Sequence, residues 1–214
     1  MRYFALPVML FASPALAHPH IFIESTLELR LDDKSQLTDV HVIWTYDAFY
    51  TLMLLGDLGL DPDGDGVLTA NEQAALLTAE STWDPKYEGD TYGIADRQPV
   101  KLGPPRDFAV SLQDGKITSS HLRPLVEPLP MAGQTVSWKS YDPFYYAAFT
   151  LSGGAVVKGS DACTVTYVAP DLNAAYVRLD GLLYGPEGAG LTEGEFPPVG
   201  ADFADEARVT CAAR

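Results

Sequence analysis

The chain has 214 residues, 47% of them hydrophobic and 20% charged, which is too apolar for a disordered polypeptide and long enough for one or two compact domains. Its 14 Lys and Arg stand against 29 Asp and Glu, a formal net charge of −15. That balance disfavours a general binder of nucleic acid or of anionic membranes, since both require cations to neutralise phosphate, and it suits a partner of cations.

Arg2 is followed by an apolar stretch from residue 3 to residue 11 and then by Ala15, Leu16 and Ala17, the small-x-small pattern of a signal-peptidase site. Residues 1–17 are therefore expected to be a cleaved signal peptide. Pro7 and Pro14 argue against a buried helix there. No other segment approaches the roughly 18 uninterrupted apolar residues of a membrane span. The expected location is the periplasm, and the absence of a cysteine at the cleavage site argues against a lipoprotein.

Residues 21–31 pass from continuous apolar to strict alternation, which predicts a strand with one buried face. Asp32 to Ser35 supply a turn. Residues 37–46 resume the alternation, with Val40, Val42, Trp44 and Tyr46 on one face, so the two runs predict an antiparallel hairpin. Residues 48–55 have helix-forming composition, and Gly56 and Gly59 suit a helix ending before a loop.

The loop that follows, residues 61–72, matches the twelve-residue EF-hand calcium loop at every ligand position. The carboxylates of Asp61, Asp63 and Asp65 converge as the chain curls, and Gly66 permits the sharp bend. Val67 offers its carbonyl, Thr69 holds a water, and Glu72 closes the sphere from the next helix, expected over residues 70–81. No second loop of this kind is found. A lone site reads as a structural clip between two helices rather than a cooperative sensor.

Beyond Trp83, Asp84 and Pro85 the sequence turns rich in Gly and Pro and returns to strand patterns, with a lobe boundary near residue 90. Residues 108–112 and 116–122 flank Asp114-Gly115, a strong hairpin signal. Further strands are expected over 135–141, 145–151, 155–158, 164–168 and 176–183, with a long loop over 184–202. Residues 141–149 hold five aromatics, which suit a packed strand at the edge of the core more than a ligand platform. The fold class predicted is mainly β, a sandwich of antiparallel sheets with an inserted helix–loop–helix. Residues 18–90 form the hairpin and helix pair, and 91–214 a β-rich lobe packed on them.

Cys163 and Cys211, the only cysteines, are expected to pair in an oxidising compartment and to close a loop of about fifty residues. The mature chain would begin His18-Pro19-His20, offering two imidazoles and a free α-amine. Pro19 has no amide proton, so the square-planar peptide-amide mode is blocked and a further ligand would come from the fold. His41 and His121, both in predicted strands, are the weaker candidates. Imidazole suits Zn, Ni, Co and Cu alike.

The histidines after Ala17, the aromatic-bearing first strand, Trp44-Thr45-Tyr46-Asp47 before a helix, the acidic loop and Tyr141-Asp142-Pro143 together resemble the domain-of-unknown-function family one thousand and seven. The resemblance implies a periplasmic component of a transport system, linked to nickel/cobalt-type permeases. It also supports His18 and His20 as transition-metal candidates and Asp61, Asp63, Asp65 and Glu72 as calcium ligands. It brings no catalytic residue.

The expectation is thus a calcium-binding periplasmic accessory protein, not an enzyme, that hands a transition-metal ion to a membrane transporter or permease. Two alternatives are an N-terminal-histidine copper oxidase and a calcium-stabilised adaptor without a transition metal. No Gly-x-Ser-x-Gly elbow, His-Glu-x-x-His helix or phosphate-cradling glycine loop supports a hydrolase.

Overall fold

A computed structural model describes residues 19–186 and 196–213. The predicted hairpin is formed by β1 (Ile21–Leu31) and β2 (Gln36–Tyr46), in antiparallel register with Leu27 opposite Val42. Alternation sets the faces as expected: Ile23, Ser25, Leu27 and Leu29 of β1 and Val40, Val42, Trp44 and Tyr46 of β2 point into the core. Eight more strands follow: β3 (Thr91–Ala95), β4 (Gln98–Val100), β5 (Arg106–Gln113), β6 (Lys116–Pro130), β7 (Thr135–Ser140), β8 (Ala147–Lys158), β9 (Cys163–Val168) and β10 (Glu206–Cys211).

These strands make two five-stranded sheets, β5-β6-β2-β1-β8 and β4-β3-β7-β10-β9. Every pairing is antiparallel except that of β1 with β8. The first sheet draws on both halves of the sequence. One apolar core lies between the sheets, with Leu27, Leu29 and Val42 from the first and Val136, Trp138 and Val209 from the second all fully buried. Ser25 and Ser140, hydroxyl to hydroxyl at 3.0 Å, join the sheets through that core. Gly93 sits opposite Trp138, whose ring occupies the space a side chain at residue 93 would need.

Helices α1 (Ala48–Leu58) and α2 (Ala70–Ser81) pack on the first sheet. Asp47 caps α1 by accepting from the Phe49 and Tyr50 amides, and Gly59 closes it in the left-handed region at φ 66°. The Thr51 hydroxyl accepts the Ile117 amide and so docks α1 on β6, while Gln73 donates to the Val110 carbonyl and docks α2 on β5. Leu55, Leu60 and Leu76 belong to the core.

Three expectations are corrected. Residues 176–183 are helical, not a strand, within α3 (Leu172–Tyr184). Ala175 and Leu179 recur at four-residue spacing and bury against Val199 and Phe203, and Asp171 caps the start, so helical period outweighs a short apolar alternation. The strand expected from residue 145 starts only at Ala147, because the Asp142 carboxylate accepts the amides of Phe144, Tyr146 and Ala147 and holds the chain in a turn. It then runs without a break through 155–158. Strands β3, β4 and β10 arise where no strand was expected. Residues 187–195 of the expected 184–202 loop, and residue 18, lie outside the described residues. Cys163 and Cys211 are disulfide-bonded register partners of β9 and β10. No helix among the described residues is long and apolar enough to cross a membrane.

Candidate functional site

The chain between α1 and α2 turns tightly at Asp61, where the carbonyl accepts from the Gly64 amide at 3.1 Å. Gly66 lies at φ 75°, a conformation that a β-carbon disfavours, and its amide donates to the Asp61 carboxylate at 3.1 Å. The Val67 amide donates to Asp65 Oδ1 at 2.8 Å. These bonds fold the loop inward so that one carboxylate oxygen each from Asp61, Asp63 and Asp65 lies within 4.8 Å of the others. Two oxygens on opposite sides of a calcium ion, each about 2.4 Å from it, lie about 5 Å apart. The donor set is all oxygen and anionic, which fits a hard divalent cation.

Thr69 caps α2 in a reciprocal box: its hydroxyl accepts the Glu72 amide, and Glu72 accepts the Thr69 amide at 2.8 Å and hydroxyl at 2.7 Å. These Thr69 bonds hold the Glu72 carboxyl below the usual carboxylate range. The other Glu72 oxygen accepts the Asp61 amide at 3.2 Å. Glu72 thus already spans the two ends of the loop, although it stands outside the three-carboxylate cluster. Val67 is exposed, and Leu68 turns inward against the core.

The three described histidines, His20, His41 and His121, are not brought together. His18 lies outside the described residues. His20 is exposed at the start of β1, its amide donating to the Tyr146 carbonyl at 2.8 Å and its ring 4.7 Å from that of Tyr146. His41 pairs across the hairpin with Glu28, Nδ1 to Oε2 at 3.1 Å, a bond that holds the Glu28 carboxyl below its ordinary range. Glu28 is eight residues along β1 from His20, about 26 Å at the strand rise. His121 is register partner of inward-facing Val42, so it points into the core while His41 points away from it. Neither supplies a third imidazole to His20.

His121 belongs instead to a polar row that sequence reading missed. On the core face of β6 stand Ile117, Ser119, His121, Arg123 and Leu125, three polar residues where apolar ones would be expected, all buried. The signal was present in the alternation of residues 116–122, which puts Ser119 and His121 on the face of Ile117. His121 is fully buried among the rings of Trp44, Trp83 and Phe108, with centroids 4.7–5.6 Å away, and neither ring nitrogen has a hydrogen-bond partner. Burial, reinforced by the Arg123 charge, drives its imidazole down to about 3. Nearby, buried Asp90 accepts the Tyr87 hydroxyl at 2.8 Å, and desolvation with the charges of Asp142 and Glu88 raises it to about 7. Half-buried Glu80 accepts the Tyr46 hydroxyl at 2.8 Å, and burial raises it.

The family model described as "Protein of unknown function (DUF1007)" matches residues 3–211. An uncharacterised protein of Haemophilus influenzae is 27% identical over 161 residues, covering 73% of this chain and 74% of that protein.

Proposed function

The chain belongs to the family of proteins of unknown function DUF1007, and from that premise we propose that it is an exported, calcium-binding accessory protein of a membrane transport system. The convergence of Asp61, Asp63 and Asp65 carries the calcium reading. Calcium would be held by those three carboxylates, the Val67 carbonyl and Glu72, with Thr69 holding a water. Glu72 would turn from the Thr69 hydroxyl towards the ion, exchanging a cap for a ligand and tying α2 to the end of α1. A lone loop whose flanking helices are already docked on β5 and β6 acts as a staple. The protein is read as a carrier rather than an enzyme. Transition-metal handover rests on His18, His20 and the free α-amine, without His41 or His121, which lie elsewhere in the fold. That separation also weighs against a copper oxidase drawing its third nitrogen from either one.

The test is metal analysis of protein exported and processed in cells, after titration with Ca, Zn, Ni, Co and Cu. One calcium per chain is expected, lost in an Asp61→Ala/Asp65→Ala variant. Calcium at a hundred times its Kd should stabilise the wild type by about 2.7 kcal/mol and leave that variant unchanged. Absence of both calcium retention and stabilisation would overturn the calcium reading. A transition metal lost on His18→Ala/His20→Ala with calcium retained would support handover. Calcium alone in both proteins would reduce the function to that of a calcium-stabilised adaptor.

A further inference from the structure

A cleft of about 1050 Å³ opens between the β3–β4 edge of the second sheet and β6 of the first, at the upper limit of the size of small-molecule sites. Trp83, Tyr87, Tyr92 and Tyr141 supply its walls, and the rings of the last two stack with centroids 4.1 Å apart. Arg123 reaches it from the core face of β6, only 6% exposed. Its Nε donates to the Gly103 carbonyl at 2.9 Å and its Nη1 to the Glu88 carbonyl at 2.7 Å, and the guanidinium lies 5.6 Å from the centre of the Trp83 ring. Those carbonyls occupy two of the five N–H donors of a guanidinium. Among the described residues no carboxylate lies within ion-pair distance of Arg123.

A further observation points to a ligand. The charge balance of the chain is inverted here: Arg97, Lys101 and Arg123 stand against Asp84 and Glu88, in a protein with 29 acids and 14 bases.

We propose that this cleft binds a small planar organic carboxylate. The carboxylate takes the remaining guanidinium donors of Arg123, which are fixed in orientation by the two carbonyls and match a carboxylate's two oxygens. Lys101 and Arg97 at the rim add positive charge. The flat body lies against Trp83 and Tyr92, where aromatic faces offer area at little cost in conformational entropy. The site is independent of the acidic interhelical loop.

The test uses the mature full chain with calcium present, and 1-naphthoate as probe beside its neutral amide, 1-naphthamide. The Trp83 indole N–H, which donates to the Glu80 carbonyl at 3.0 Å, is the NMR reporter. Naphthoate is expected to saturate one site, to shift the Trp83 indole signal and to bind at least tenfold more tightly than the amide. Lys101→Ala/Arg97→Ala should weaken naphthoate at least fivefold with unfolding temperature and calcium content unchanged. Because Arg123→Met removes a packed cation and risks the fold, Lys101→Ala/Arg97→Ala is the deciding variant. Equal binding of acid and amide, unchanged affinity in that variant, or no saturable binding would each overturn the proposal. Loss of calcium binding in Asp61→Ala/Asp65→Ala leaves these readouts where they are, so the two readings fail separately.

Discussion

Replacing His121 by leucine is expected to stabilise the protein, and by more as the pH falls. Its imidazole titrates near 3 in the folded chain, against 6.5 ordinarily. Below 6.5 the unfolded chain therefore takes up a proton that the folded chain refuses. The contribution of this group is intact above 6.5 and lost as pH falls towards 3. Between pH 7.5 and pH 4 the loss amounts to about 3 kcal/mol. Leucine also removes two buried nitrogens without partners, which adds about 1–3 kcal/mol at every pH. Asp90→Asn should show the opposite trend. The Asp90 carboxyl is raised to about 7, so its contribution is full below its ordinary 3.8 and lost as pH rises through 7. Asp90→Asn should therefore gain on the wild type by about 4 kcal/mol from pH 4 to pH 7.5. Urea unfolding of the three proteins at pH 4, 5.5 and 7.5 checks both. A stability gap that stays constant with pH for both variants would mean that neither group titrates as its burial demands.

Removing the disulfide should be the other large effect, and a destabilising one. Cys163 and Cys211 are 48 residues apart, and closing such a loop in the unfolded chain corresponds to about 4 kcal/mol on the chain-entropy view. β9 is the edge strand of its sheet, with Tyr167 and Val168 exposed, and its ties are few. It pairs with β10, and the Tyr167 hydroxyl bonds both the amide and the carbonyl of Ala155 on β8. Cys163→Ser/Cys211→Ser is expected to cost about 2–4 kcal/mol and to lower Tm by about 5–15 °C. Amides of residues 164–168 should lose protection in hydrogen exchange before those of β1 and β2. An unfolding midpoint equal to that of the wild type would show that pairing and Tyr167 alone hold the edge.

The elements that could be read from the sequence are those whose cause is local. The alternation within β1 and within β2, the β5–β6 turn at Asp114-Gly115, the helix-forming run of α1 ending towards Gly59 and the acidic loop before α2 each sit within a dozen residues. β3, β4 and β10 are short, and Pro99 in β4 removes a strand donor, so their strand character comes from neighbours far along the chain. The window 176–183 satisfies two periods at once, and only burial of Ala175 and Leu179 against Val199 and Phe203 decides for helix. The candidate calcium ligands are contiguous and therefore legible. Arg123, Thr91 and Trp83 are not, because the cleft assembles them from β6, β3 and the segment after α2. His41 and His121 could be placed on strands, but not on opposite faces of the same sheet, since that depends on the register of β2 with β6.

The parallel pairing of β1 with β8 has a kinetic consequence. Ile21, among the first residues described, is register partner of Ala147, so β1, fourth of the five strands in its sheet, keeps one edge open until residues 147–158 are available. The contact order is high, and two-state folding slows as contacts become more distant in sequence. A chain delivered N-terminus first would expose the free backbone of β1 and the apolar residues Ile23, Leu27 and Leu29 throughout that wait. Glu24, Glu28 and Arg30 alternate with them along the same strand. Charges at such spacing discourage strand addition by a neighbouring chain, and this segment is where aggregation during synthesis should begin if they are neutralised.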